Sequence, residues 1–380
     1  MGALSGIRVI DLTRIIAGPF CTQLLGDMGA EVLKIEPAKG DPVRVQGQMV
    51  DGESWYFAQV NRNKKSVVLD LYSDDGKEKL ARLIETADVL VENYRPGVLA
   101  KMGFDEARLK ALNPGLVVGS INGYGSTGPY VDRPSFDFIA QAMSGYMAVG
   151  GDPDGPPRRA APPISDLVAG LYCAFGIVSA LNARHRTGEG QNVESSLSNG
   201  LISFMTYLAA ETLATGRNPV RSGNNHPIVA PYGLFEASDG TIAVAPSNDT
   251  YVERFLGALG LAHLLEQDLY CDNATRMKNR VELNEIINTV TRTAPVDHWI
   301  DLINKAGCPC GRVMELTEVF SDPQVLAQEM VLEAGREGER PVKVTGFPVK
   351  LSATPCELTL PPPRLGEHTD EILHALDGSE

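Results

Sequence analysis

The chain has 380 residues, 43% of them hydrophobic and 22% charged, the balance of a globular protein able to bury a full core. Its formal net charge of −14 argues against nucleic acid or an anionic membrane as partner, since either requires a basic surface. The six cysteines form no disulfide framework, and Cys308-Pro309-Cys310 is spaced too tightly for a paired zinc half-site, so no metal is expected. The N-terminus enters a strand directly, without a signal-peptide pattern. No continuous apolar run approaches the ~20 residues that cross a bilayer. A cytoplasmic protein is expected.

In chain order, runs at 7–12, 31–36, 66–71, 88–92 and 116–121 read as strands. They are nearly continuous in Val, Ile and Leu, as strands buried on both faces are. Gly18-Pro19 opens a helix carrying Phe20, Leu24, Leu25 and Met28 on one side and ending at Gly29. Ser73-Asp74-Asp75 enters a helix to residue 87, and a short helix over 104–112 ends at Asn113-Pro114. This alternation predicts an α/β fold with a doubly wound parallel sheet. A helix over 136–147 follows, then a Gly/Pro-rich loop over 150–163. The long apolar helix over 166–186 closes at Thr187-Gly188-Glu189-Gly190. A strand over 193–197 and a helix over 198–215 complete a large domain, 1–216. The character then changes: a loop at 221–233, a strand at 241–245 and helices over 250–305 suggest a smaller α/β domain, 217–330. The C-terminal segment, 331–380, carries strand-like residues at 341–355 and a helix over 367–376.

Two stretches invite a chemical reading. Gly123-Tyr124-Gly125-Ser126-Thr127-Gly128 matches GxGxxG after a strand. A dinucleotide fingerprint also needs a helix directly after the third glycine and an acidic residue ~20 positions on. Here Pro129 and Pro134 interrupt any helix, and Gly145-Tyr146-Met147 supplies no acid. The motif reads instead as a tight loop at the carboxyl end of a strand, where α/β ligands sit. In the second stretch, Asp166 stands at an expected helix start with Gly170 one turn on. It reads either as a helix cap or as a partly desolvated carboxylate able to act as a covalent nucleophile.

An ordered set of motifs resembles the class III CoA-transferases, the formyl-CoA:oxalate and carnitine CoA-transferase type. These are Leu4-Ser5-Gly6-Ile7-Arg8-Val9-Ile10-Asp11, Ala17-Gly18-Pro19, Met28-Gly29-Ala30-Glu31-Val32, Lys34-Ile35-Glu36, Asn63-Lys64-Lys65-Ser66, Glu92-Asn93-Tyr94-Arg95-Pro96-Gly97, Met102-Gly103, Gln141-Ala142, Asp166 with Gly170, Thr187-Gly188-Glu189-Gly190-Gln191 and Gly366-Glu367-His368-Thr369. They span nearly the whole chain.

The resemblance implies a Rossmann-like large domain, a smaller α/β domain and an interlocked homodimer whose C-terminal segment returns to the large domain. It implies acyl-CoA and small carboxylates as substrates, with no permanently bound cofactor. Asp166 would be the nucleophile, passing through aspartyl-anhydride and aspartyl-CoA thioester intermediates. CoA would contact the strand at Leu69, Asp70 and Leu71, the turn at Asn93, Tyr94 and Arg95, and Lys101, beside Phe136. Arg95 and Lys101 suit phosphate, although solvated surface charge is the alternative reading for both. Asp137 matches an acidic residue near the thioester in the formyl-CoA transferases, or it is a local cap or a salt-bridge partner. Departures are also visible. Ile16 replaces a Gln, Pro37 replaces an Arg with Lys39 nearby, and the loop Gly223-Asn224-Asn225-His226-Pro227 replaces a four-glycine run. His226 would contact the acyl group or brace its loop. The α-methylacyl-CoA racemases share this scaffold and place their His where this chain has Phe136.

Overall fold

The protein, described here by a computed structural model, is seen over residues 1–378. Six strands form one sheet: Arg8–Asp11, Glu31–Glu36, Lys64–Val68, Val89–Glu92, Val117–Asn122 and Asn192–Ser196. Numbered in that chain order, they lie side by side as 3-2-1-4-5-6, and every neighbouring pair is parallel. The two-residue period of a strand sorts their side chains. Val9, Val32 and Val89 face the helices Ala17–Asp27 and Ile164–Thr187, packing with Cys21, Leu25, Cys173 and Ile177. Ile10, Leu33 and Leu90 face the other way, onto Leu80 and Ile84 of Asp74–Glu85 and Leu109 of Glu106–Leu112. Both faces are covered, which is why these strands are apolar throughout.

Five charged side chains are the exception: Asp11, Lys34, Glu36, Lys64 and Glu92 are all buried. The first four are in ion pairs, Lys64 with Asp11 at 3.1 Å, Lys34 with Asp41 at 3.0 Å and Arg44 with Glu36 at 2.6 Å, and Glu92 accepts from Tyr94 N at 2.8 Å. Burial lowers the Lys64 ammonium to about 8, against the pull of Asp11.

The chain separates into two compact units. The first joins Met1–Tyr146, Arg159–Ala209 and the segment from Pro323 onward. Within it the C-terminal segment is tied to the edge strand, where His368 N donates to Ser66 O and Val68 N to Thr369 Oγ1. The second unit joins Met147–Arg158 to Ala210–Asp322. Its antiparallel sheet runs Cys310–Arg312, Gly240–Val244, Gly233–Ala237, and its core holds Phe235, Ile242, Phe255, Trp299 and Ile303.

Several elements differ from expectation. The strand expected at 66–71 is Lys64–Val68, and Leu69, Asp70 and Leu71 form the turn beyond it. The helix expected at 136–147 is two, Asp137–Met143 and Tyr146–Val149, broken at Gly145 with φ +84°. The helix over 198–215 breaks at Thr206, whose φ is +40°. The tail at 341–355 contains one strand, Val342–Thr345, paired with an unanticipated Val331–Ala334. The helix Trp55–Asn61 was also unanticipated.

The membrane expectation needs correction too. The helix Ile164–Thr187 has 24 residues and is long and apolar enough to cross a bilayer. Its small residues Gly170 and Gly176 instead press against Ala17 and Val193, and half of its most apolar stretch is buried within the protein.

Candidate active site

In a sheet of this order, ligands bind outside the carboxyl ends of the strands, where the connections diverge to opposite faces. That point lies between the first and fourth strands. A cavity of about 200 Å³ opens there. Its walls are residues 14–17 after the first strand, 93–96 after the fourth, 122–125 after the fifth, and residues 133–136 with Asp166. The GxGxxG glycines thus contribute a loop. Gly123 folds so closely onto Ser135 that a Cβ on it would stand 2.6 Å from the Ser135 Cβ, and no helix starts until Asp137.

Asp166 lies in the first turn of Ile164–Thr187, whose N-cap is Pro163. The cap reading of Asp166 is therefore corrected: the helix begins two residues earlier, and the carboxyl accepts no hydrogen bond among the described residues. Burial, reinforced by the Asp137 carboxylate, pushes it up to about 7. Gly170, one turn on, lets Ala17 of the first helix approach, since a Cβ there would stand 2.5 Å from the Ala17 carbonyl oxygen. Tyr56 feels the same carboxyl. Its phenol is raised by burial, then by Asp166 and Asp41. No sequence motif marks Tyr56.

Asp137 is buried and fully bonded. It accepts from Ser165 N at 2.9 Å, Ser165 Oγ at 2.8 Å and Gln141 Nε2 at 2.7 Å. It thereby ties the start of the Asp166 helix to its own. Phe136 precedes it, 67% exposed, in the cavity wall.

Asn93 holds Arg14 from both sides, accepting from its N at 3.0 Å and donating to its O at 2.8 Å. Tyr94 N donates to Glu92 Oε2, and burial raises the Tyr94 phenol to about 12. Arg14, Arg95 and Arg133 all line the cavity, all exposed, and none forms an ion pair among the described residues. A local group of cations thus stands in a strongly acidic chain. Leu69, Asp70 and Leu71 sit at the same carboxyl edge of the sheet, beyond the cavity walls. Leu69 is buried and Asp70 exposed. Lys101 ends the short helix Val98–Lys101, exposed and outside those walls.

Gly223, Asn225 and His226 belong to the second unit. Gly223 takes φ +60°, and Asn225 closes a turn on Ser222. The His226 ring lies 4.8 Å from that of Tyr232, its Nδ1 accepts from Ile228 N, and its O accepts from Arg280. Burial, then Arg280, lowers its imidazole. Beside this loop, Arg280 Nε and Asn284 Oδ1 are buried without a hydrogen-bond partner among the described residues.

The fold and cavity define an α/β enzyme with an isolated, protonatable carboxyl at a nucleotide-type crevice. The particular family follows from comparison: the family model described as CoA-transferase family III matches residues 4–369, and the chain belongs to that family. Succinate–glutarate CoA-transferase of Agrobacterium fabrum is 37% identical over 385 residues, covering 99% of this chain and 96% of that protein. Acetyl-CoA:oxalate CoA-transferase of Acetobacter aceti is 38% identical, covering 92% and 90%. A crystal structure of a CAIB/BAIF family protein from Brucella suis superposes with a TM-score of 0.89 at 36% identity, covering 99% of this chain and 100% of that one. The family expected from the ordered motifs is the one found, and the protein is a class III CoA-transferase acting on CoA thioesters and carboxylic acids.

Proposed function

We propose that this enzyme moves CoA between small dicarboxylic acids through covalent intermediates on Asp166. The observation that carries the reading is the Asp166 carboxyl itself, unbonded and raised to about 7 in the cavity wall. A carboxylate so placed is a better nucleophile than a solvated one, and half of it is ionised near neutrality. Asp166 attacks the thioester carbonyl of the donor, the C–S bond breaks, and CoA leaves as thiolate. The thiolate attacks the aspartyl carbonyl of the resulting anhydride and expels the donor acid. The acceptor carboxylate then attacks the aspartyl-CoA thioester, and the released thiolate takes the acceptor's acyl carbon, restoring Asp166. No proton, water or ATP enters the balance. The intermediates hydrolyse readily, so water must be kept out.

Arg95 and Lys101 suit the CoA phosphates, with Leu69, Asp70, Leu71, Asn93 and Tyr94 taking the nucleotide end. The relatives' acids (glutarate, succinate, oxalate) support a dicarboxylate class, as do the unpaired Arg14 and Arg133. Asp137 acts by holding Ser165 and by its charge beside Asp166. Gly223, Asn225 and His226 form the proposed substrate loop, which His226 braces within the second unit. A homodimer fits the exposed apolar side chains of the Asp166 helix. The racemase alternative needs a proton carrier where Phe136 stands, and phenylalanine carries none. The test is a matrix of succinyl-, acetyl- and formyl-CoA against dicarboxylate acceptors. Transfer to at least one dicarboxylate that is lost in Asp166→Ala supports the reading, and transfer surviving that change overturns it.

A further inference from the structure

Residues 14–16, between the first strand and the first helix, line the same cavity as Asp166, and one of them is strained. Ile15 has φ +72°, a left-handed conformation that a β-branched residue avoids. Nothing in the local sequence favours it, so neighbouring groups must impose it. Three side chains do so by taking up the polar main-chain atoms of this loop. Lys34 Nζ donates to Thr13 O at 2.9 Å. Asn93 brackets Arg14 N and O. Asp41 accepts from Ile15 N with both oxygens, each at 3.2 Å.

Asp41 is itself fixed. It is 3% exposed and paired with Lys34, which is wholly buried. Its own N–H is held by Glu36 Oε1 at 2.9 Å. Glu36 in turn receives Arg44 through two nitrogens and Ser66 Oγ. The Lys34-Ile35-Glu36 motif therefore has both its charges committed to the segment carrying Asp41. A lysine–aspartate pair buried this completely gains little stability over an apolar pair of the same volume. Stability alone therefore does not explain it.

We propose that Asp41, fixed by Lys34, is a positioning residue for CoA transfer, holding Ile15 in its left-handed conformation so that Ile16 and Ala17 face Asp166. This rests on the reading of Asp166 as the reacting group. Misplacing that wall by about 1 Å costs on the order of a hundredfold in rate, while Arg95 and Lys101, proposed for the CoA phosphates, are not among the groups that Asp41 holds.

The test uses the full-length enzyme in the transfer assay. Asp41 also accepts from Val43 N at 3.1 Å, capping the turn Pro42–Val45; Asp41→Asn keeps that bond but weakens the Lys34 pair and the grip on Ile15. It is expected to lower kcat roughly 10- to 100-fold with KM for acyl-CoA within about threefold. Glycine adopts φ +72° without strain, so adding Ile15→Gly to Asp41→Asn is expected to recover about fivefold or more of the lost kcat. A merely structural role would not produce that rescue. Where Asp41→Asn does not fold, Lys34→Met with and without Ile15→Gly is read the same way. Wild-type kcat in the single variant, a parallel rise in KM, or losses that add in the double variant would each overturn the proposal. Failure of the Asp166 reading shows separately, as transfer that survives Asp166→Ala, because the clamp is judged only on variant-to-wild-type ratios.

Discussion

Gly170 lies directly against Ala17: a Cβ on Gly170 would stand 2.5 Å from the Ala17 carbonyl oxygen. Backbone cannot yield there as a flexible side chain would. The contact sets the first helix beside the turn that carries Asp166. Gly170→Ala should lower the thermal midpoint by several degrees, a cost of roughly 1–3 kcal/mol. It should also lower kcat in the protein that remains folded. Calorimetry with a transfer assay checks both, and unchanged kcat would detach Gly170 from the site.

The raised Asp166 pKa fixes the sign of two pH effects. As the proposed nucleophile, Asp166 must be ionised, so kcat/KM should rise with pH and level off above about 7. Stability runs the other way. The folded pKa lies above the ordinary value of 3.8, so this group's contribution is full below that value and is lost as pH rises through about 7. Asp166→Asn should therefore gain on the wild type between pH 4 and 7, reaching roughly 2–4 kcal/mol at pH 8. Denaturant titrations at several pH values measure the difference.

Asp137 raises Asp166 by its charge, second to burial. Asp137→Asn should shift the acidic limb of the kcat/KM profile to lower pH while leaving most of the elevation in place. Loss of the bond that Gln141 Nε2 donates to Oδ2, which an amide nitrogen cannot accept, should also lower kcat. A limb that stays fixed would mean that burial alone sets the Asp166 pKa.

The Asp166 helix presents Leu171, Tyr172, Phe175 and Val178 to solvent, with Phe175 71% exposed. Phe138, Ile139 and Met143 on Asp137–Met143 are exposed as well. Exposed apolar stripes commonly mark interfaces, and the proposed homodimer would cover this one. Light scattering should give twice the mass of the chain, and Phe175→Asp should reduce it. A wild-type monomer would refute the dimer.

Much of the sheet is readable from sequence because buried parallel strands are apolar without alternation and their helices carry caps such as Ser73. Asp166 was legible only as a carboxylate opening an apolar helix, and the ordered motifs gave it a role. Other features left no local trace. The strand at the sheet edge stops at Val68 because Leu69 N makes its last bond to Glu36 O, a tertiary event. Trp55–Asn61 opens on three aromatic residues, Trp55, Tyr56 and Phe57, that do not advertise a helix, so Tyr56 went unmarked. The left-handed Ile15 contradicts its own propensity and is imposed by Asp41, 26 residues away.

The central claim is that Asp166 becomes covalently acylated. It is tested most directly by incubating the enzyme with an acyl-CoA, quenching with hydroxylamine and mapping the peptides by mass spectrometry. A hydroxamate on Asp166 that requires acyl-CoA and is absent in Asp166→Asn is expected. An unmodified Asp166 in enzyme that is turning over, or a hydroxamate on another carboxylate, would contradict it.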